Sequence, residues 1–226
     1  VAYQVSFGKQ TISYNDQGSG EVLVFLHGWH LSKETWGTML QHYTRKGYRC
    51  IAIDLPGFGE SSTDGIWTMA DYGRAVAKVL SNAGVSECTV IGHSFGAKCA
   101  VMLASQRPSL VKKLILVSGN LGLARRNLLW LPINLVLRAR LAANMKQTYR
   151  LTHGFSFAPE LKGLAMPVLA IHGIFDTVVP RRNSTALVRH VPHAKVVPLK
   201  AWHVPHKERP ELFRQSLDGF IRNSRT

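Results

Sequence analysis

Six short apolar runs, spaced by stretches of helical length, set narrow limits on the fold of this chain. Glu21–Leu26, Arg49–Leu55, Cys88–Ile91, Lys113–Val117, Pro167–Ile171 and Lys195–Leu199 read as strands. All but the last are apolar enough to be buried on both faces, as central parallel strands are. Between them Lys33–Lys46, Met69–Ala83, Phe95–Gln106, Arg181–His190 and Pro210–Asn223 carry helical patterns. Strand–helix alternation of this kind predicts one three-layer α/β domain with a mostly parallel sheet. At the N-terminus, Tyr3–Tyr14 alternates as a β-hairpin does, and Asn15-Asp16-Gln17-Gly18 has turn chemistry, so an antiparallel hairpin is expected to lead into the sheet.

The alternation fails once. Residues 121–163 contain no strand, only a basic, Leu-rich stretch of helical character, and they separate a core made of residues 1–120 and 164–226. An insertion there would lie over the strand ends, where open α/β sheets bind ligands, so it is expected to form a short lid. Leu128, Trp130, Leu131 and Leu135 would roof an acyl pocket, with Arg138 beside them. Its apolar run Asn127–Leu137 is too short to span a bilayer, although contact with a membrane surface would suit its flanking arginines.

Charge narrows the partners. The chain carries 28 basic and 13 acidic residues, a formal +15, and residues 121–163 are its most basic part. Nucleic acid is the first partner such a surplus suggests. No basic arm, zinc-finger spacing or long Lys/Arg block accompanies it, so nucleic acid is not expected. Steering of an anionic substrate, or of an acidic carrier protein, accounts for the charge as well. Three cysteines, Cys50, Cys88 and Cys99, make neither a disulfide framework nor a zinc site. A cytoplasmic location is therefore expected, and a targeting segment removed ahead of Val1 is compatible with it.

The chemistry begins at Gly92-His93-Ser94-Phe95-Gly96, which follows one strand and opens a helix. A turn this sharp strains its central residue and lifts the Ser94 hydroxyl clear of the sheet, while Gly92 and Gly96 let strand and helix approach. A plain N-cap serine is the bland alternative. A nucleophilic serine needs a base, and the base an acid to orient it. Asp176 follows the strand Pro167–Ile171, and His203 follows Lys195–Leu199, giving the chain order Ser…Asp…His. His190, His193 and His206 compete for the role of base. Upstream, the amide of Trp29 could join that of Phe95 as an oxyanion hole. No metal or organic cofactor is required by this chemistry. Asp54 also ends a strand.

With these landmarks in place, His27-Gly28-Trp29, Asp54-Leu55-Pro56-Gly57-Phe58-Gly59-Glu60-Ser61, the Ser94 elbow, Asp176 and His203, the chain resembles an α/β-hydrolase over nearly its whole length. HGWHLSKETW, DLPGFGES and MPVLAIHGIFDTVVPR are similar to segments of bacterial pimeloyl-[acyl carrier protein] methyl ester esterases. SKETW and GYRCIAIDLPGFG also resemble small hydrolases with almost no cap. The likeness implies a serine hydrolase acting on a small-molecule carboxylic ester of a short or medium acyl group, with an ester presented on an acidic carrier protein as a further candidate. It also implies a structural role for Asp54 in the Pro56–Ser61 loop. A thioesterase, an acyltransferase or a C–C bond hydrolase would use the same residues, and a non-catalytic ligand-binding module would keep the same fold. Two departures stand out: Trp202 occupies the place of the family's usual Gly before the histidine, and the lid is shorter than the common helical cap.

Overall fold

A computed structural model describes residues 2–62, 67–123 and 156–222. Strands β1 (Ala2–Phe7), β2 (Gln10–Gln17) and β3 (Val22–Leu26) are followed by a 3-10 turn (Lys33–Trp36) and helix α1 (Gly37–Arg45). Then come β4 (Arg49–Ile53), α2 (Met69–Asn82), β5 (Cys88–His93), α3 (Phe95–Gln106) and β6 (Val111–Val117). After the insertion the described chain continues as α4 (Ala158–Lys162), β7 (Val168–Gly173), α5 (Arg182–Leu187), β8 (Lys195–Leu199), α6 (Pro205–Glu208) and α7 (Pro210–Arg222). The eight strands form one sheet in the order β1-β2-β4-β3-β5-β6-β7-β8, parallel from β4 through β8.

The period of two along each strand explains the three layers. In β3, Val24 and Leu26 face a core with α2 and α3, while Leu23 and Phe25 face a second core with α1 and α7. Both sets are buried, so the sheet is covered on both sides and its strands read as continuous apolar runs. β8, at the edge, is only half-buried.

The hairpin exists but turns elsewhere. β1 and β2 pair from Ala2 opposite Asn15 to Phe7 opposite Gln10, so the turn is at Gly8-Lys9. Asn15-Asp16-Gln17 lie in β2, antiparallel to β4. The reason is tertiary: the Arg49 guanidinium holds both Asp16 carboxylate oxygens, at 2.9 and 2.6 Å. That pairing overrides the local turn preference.

Of the expected lid, only its ends lie among the described residues. The Phe157 amide donates to the Leu121 carbonyl at 3.1 Å, so the insertion leaves and re-enters the core at one place. Leu121, Phe157 and Leu161 are buried in the main core. Leu128, Trp130, Leu131, Leu135 and Arg138 lie outside the described residues. Among those described, no helix is long and apolar enough to cross a membrane.

Candidate active site

The elbow forms because β5 runs directly into α3. Ser94 sits between them at φ 52°, ψ −105°, backbone that L-residues avoid at a cost of about 1–3 kcal/mol. The strain persists because both sides are pinned. The Ser94 amide donates to the Val117 carbonyl at 2.8 Å. A Cβ on Gly96 would fall 2.4 Å from the Leu26 carbonyl oxygen, and one on Gly92 would fall 2.4 Å from the Gly96 carbonyl oxygen. Only glycine allows the elbow helix to rest against the end of β3. This contact brings the first turn of α3, headed by Phe95, to the loop that carries Trp29.

His203 and Asp176 arrive from the next strands. The Ser94 hydroxyl donates to His203 Nε2 at 3.1 Å, and His203 Nδ1–H donates to Asp176 Oδ2 at 2.8 Å. The other Asp176 oxygen accepts from the Val178 and Val179 amides at 2.9 and 2.8 Å. Burial alone would raise the Asp176 pKa. The bonds from His172, His203 and the Val179 amide outweigh it and hold the carboxyl well below the usual carboxylate range. Asp176 is thus an anion aimed at the imidazole.

Of the competing histidines, none reaches Ser94. His193 donates to the Met166 carbonyl at 2.9 Å, and His206 is buried face-on against Trp36, with ring centroids 4.0 Å apart. His27 follows β3 directly and is fully buried. Leu55 N–H donates to its Nε2 at 3.0 Å, and its Nδ1–H donates to the Gly28 carbonyl at 2.7 Å. Burial lowers its pKa to about 4, so it stays neutral. Asp54 is structural, as expected: fully buried, it accepts from the Lys33 amide at 2.6 Å, Lys33 Nζ at 2.7 Å and the Glu60 amide at 2.9 Å. Cys99 is buried too, which pushes its thiol far up and removes it as a second nucleophile.

Three supporting residues escaped the sequence. His172 donates through Nε2 to the Val179 carbonyl at 2.8 Å, lies 3.3 Å from Asp176 Oδ2, and accepts from the Ser184 hydroxyl at 2.5 Å. His93 donates through Nε2 to the His203 carbonyl at 2.8 Å; burial, with the His203 ring nearby, lowers its pKa to about 3. Glu208 accepts from the amides on either side of His203, Trp202 N at 2.5 Å and Val204 N at 2.8 Å. A helical Pro-x-x-Glu immediately after the histidine was the available signal for Glu208. Nothing local signals the other two.

Lys98, one turn into α3, is also buried, its amine 5.5 Å from the Phe157 ring, and burial lowers its pKa to about 7. A groove of about 450 Å³ is lined in part by His30, Leu31, Thr35, Gly59 and Lys207. It includes none of Ser94, Asp176 and His203, so it is not where an acyl group would meet the serine. Among the described residues no cluster of His, Cys, Asp or Glu could hold a metal ion.

Comparison with known proteins bears on the fold. The family model described as alpha/beta hydrolase fold matches residues 21–150. A non-heme haloperoxidase of Rhodococcus erythropolis is 34% identical over 110 residues, 48% of this chain and 40% of that protein. The chain therefore matches about two fifths of that relative's length. The pimeloyl-[acyl-carrier protein] methyl ester esterase of Nitrosomonas europaea is 24% identical over 255 residues, covering 92% of this chain and 99% of that protein. The crystal structure of the enol-lactonase of Burkholderia xenovorans superposes with a TM-score of 0.84 at 17% identity, covering 97% of this chain and 99% of the other, a likeness of fold.

Proposed function

The chain belongs to the alpha/beta hydrolase fold family, and from that premise we propose that it is a serine hydrolase that cleaves a carboxylic ester of a short or medium acyl group. The observation that carries the proposal is the unbroken hydrogen-bond chain from Ser94 through His203 to Asp176. Ser94 Oγ attacks the ester carbonyl carbon as its proton passes to His203 Nε2. Asp176 fixes the tautomer that leaves Nε2 free to accept, and then stabilises the imidazolium. The amides of Trp29 and Phe95 receive the tetrahedral oxyanion, worth about 3 kcal/mol per donor. Collapse breaks the bond to the alcohol, which takes the proton from His203. Water then gives a proton to His203 and its hydroxide equivalent to the acyl carbon, releasing the acid and restoring Ser94.

Residues 121–163 serve in this reading as the lid that roofs the acyl group. An ester carried on an acidic acyl carrier protein is the second candidate substrate, favoured by the name of the full-length relative and by the basic insertion. Charge reversal of Arg138 and Arg140 tests that reading: it should slow a carrier-linked ester and spare a small neutral one. The cysteines, free and buried, suit a reducing compartment.

Turnover of p-nitrophenyl esters of graded chain length tests the main proposal. Wild type should hydrolyse a short or medium ester, and Ser94→Ala should lose at least about 10⁴-fold in kcat. Turnover surviving in Ser94→Ala would overturn it. Transfer to an added alcohol or thiol in preference to water would make the protein an acyltransferase. Cleavage of a dienone-type substrate without ester turnover would make it a C–C hydrolase.

A further inference from the structure

Large apolar side chains left in water gather at one place. Among the described residues seven are exposed, and four of these sit on the two loops that carry Asp176 and His203: Ile174 at 39%, Phe175 at 50%, Val178 at 59% and Trp202 at 57%. The loops are joined. The Ile174 amide donates to the Leu199 carbonyl at 2.8 Å, the Phe175 amide to the Ala201 carbonyl at 3.0 Å, and the Phe175 and Trp202 rings lie 6.0 Å apart. Trp202 stands where the family resemblance implies glycine, so a bulky indole has been put where the least side chain would serve.

The surroundings are cationic. Residues 174–182 and 200–209, the two loops and what directly follows them, hold five basic residues against two acidic ones, Asp176 and Glu208. Both acids are engaged, Asp176 with the imidazole and Glu208 with the Trp202 and Val204 amides. Arg181, Lys200, Lys207 and Arg209 are exposed, and Arg209 Nε donates to the Lys200 carbonyl, two residues before Trp202.

We propose that the β7 and β8 loops dock the mouth of this site on the surface of an anionic lipid bilayer. Aromatic and aliphatic side chains enter the headgroup–acyl boundary, where an indole is well placed, and the cations meet lipid phosphates. An acidic protein would satisfy the cations but would set four apolar side chains against polar groups. Docking does not depend on the hydrolytic reading, so it is tested with the chain disabled at Ser94.

Full-length Ser94→Ala is mixed with vesicles of phosphatidylcholine alone, or of phosphatidylcholine with about a third phosphatidylglycerol, and followed by flotation and tryptophan emission. It should float only with the anionic vesicles, with a blue shift that Trp202→Phe diminishes and with binding that weakens as salt rises. Adding Trp202→Ala or Val178→Ser should each cut vesicle affinity by about tenfold, and Lys200→Glu should do so at low salt. Equal binding to neutral vesicles, no binding to either, or insensitivity to both apolar substitutions would overturn the proposal. So would an indole at 202 already shielded from acrylamide without vesicles, which would mean that the chain covers the patch itself. Binding of an acidic carrier protein without vesicle binding would make the partner a protein and overturn it too.

Discussion

Glu208→Ala should slow the enzyme without changing how it binds substrate. The Glu208 carboxylate holds the two amides that bracket His203, at 2.5 and 2.8 Å, while His93 holds the His203 carbonyl from the other side at 2.8 Å. A hydrogen bond to a charged group is worth about 1.5–3 kcal/mol. The Trp202 bond is exposed, so water replaces part of it, and about 2 kcal/mol is a fair net loss for the pair. At about 1.4 kcal/mol per tenfold, that is a fall of about thirtyfold in kcat if the loss is borne by the placement of the imidazole. KM should hold, because Ser94 and the amides of Trp29 and Phe95 are untouched. Glu208→Gln keeps one acceptor and should recover part of the rate. Steady-state kinetics on a p-nitrophenyl ester reads both constants. A kcat within about twofold of wild type, or a rise in KM of the same size as the fall in kcat, would refute a positioning role.

Two further outcomes follow from buried groups. Asp54→Ala leaves the Lys33 ammonium, 3% exposed, with the exposed Glu60 carboxylate at 2.7 Å as its remaining close partner, and should cost about 2–3 kcal/mol in urea unfolding, with Lys33→Met in the same chain restoring part of it; a single-variant loss under about 1 kcal/mol would contradict this. Acid should weaken the fold well before ordinary carboxylates titrate. Burial lowers His27 to about 4 and His93 to about 3 and places His206 well below 6.5, so all three stay neutral in the fold, whereas the unfolded chain takes up their protons near 6.5. The unfolded state then binds more protons as pH falls from 6.5 toward 4, and stability drops by up to about 1.4 kcal/mol per pH unit for each group. Urea midpoints at pH 7.5 and pH 5 check the sign, and equal midpoints would contradict it.

The layers and the elbow were legible because local rules decide them. A strand buried on both faces must be apolar throughout, and a strand-to-helix turn with no room for a Cβ must place glycine at 92 and 96. Chain order together with placement directly after a late strand points to Asp176 and His203, and the fold brings both into one hydrogen-bond chain with Ser94. What stayed hidden depends on which strands become neighbours. Asp16 reads as turn chemistry until β2 is paired with β4 and the Arg49 guanidinium comes within reach of it. His93 supports a carbonyl 110 positions away, a relation created only by the order of β5, β6, β7 and β8. His172 is one more apolar-strand residue until the Asp176 loop folds back over it.

The central claim is that Ser94 is a nucleophile made reactive by His203, and covalent labelling tests it without knowledge of the substrate. A fluorophosphonate probe with intact-mass and peptide mapping should place one adduct on Ser94 of the folded wild type, none on Ser94→Ala, and a greatly slowed one on His203→Ala. A folded wild type that takes no label, or takes it at another residue, would contradict the account.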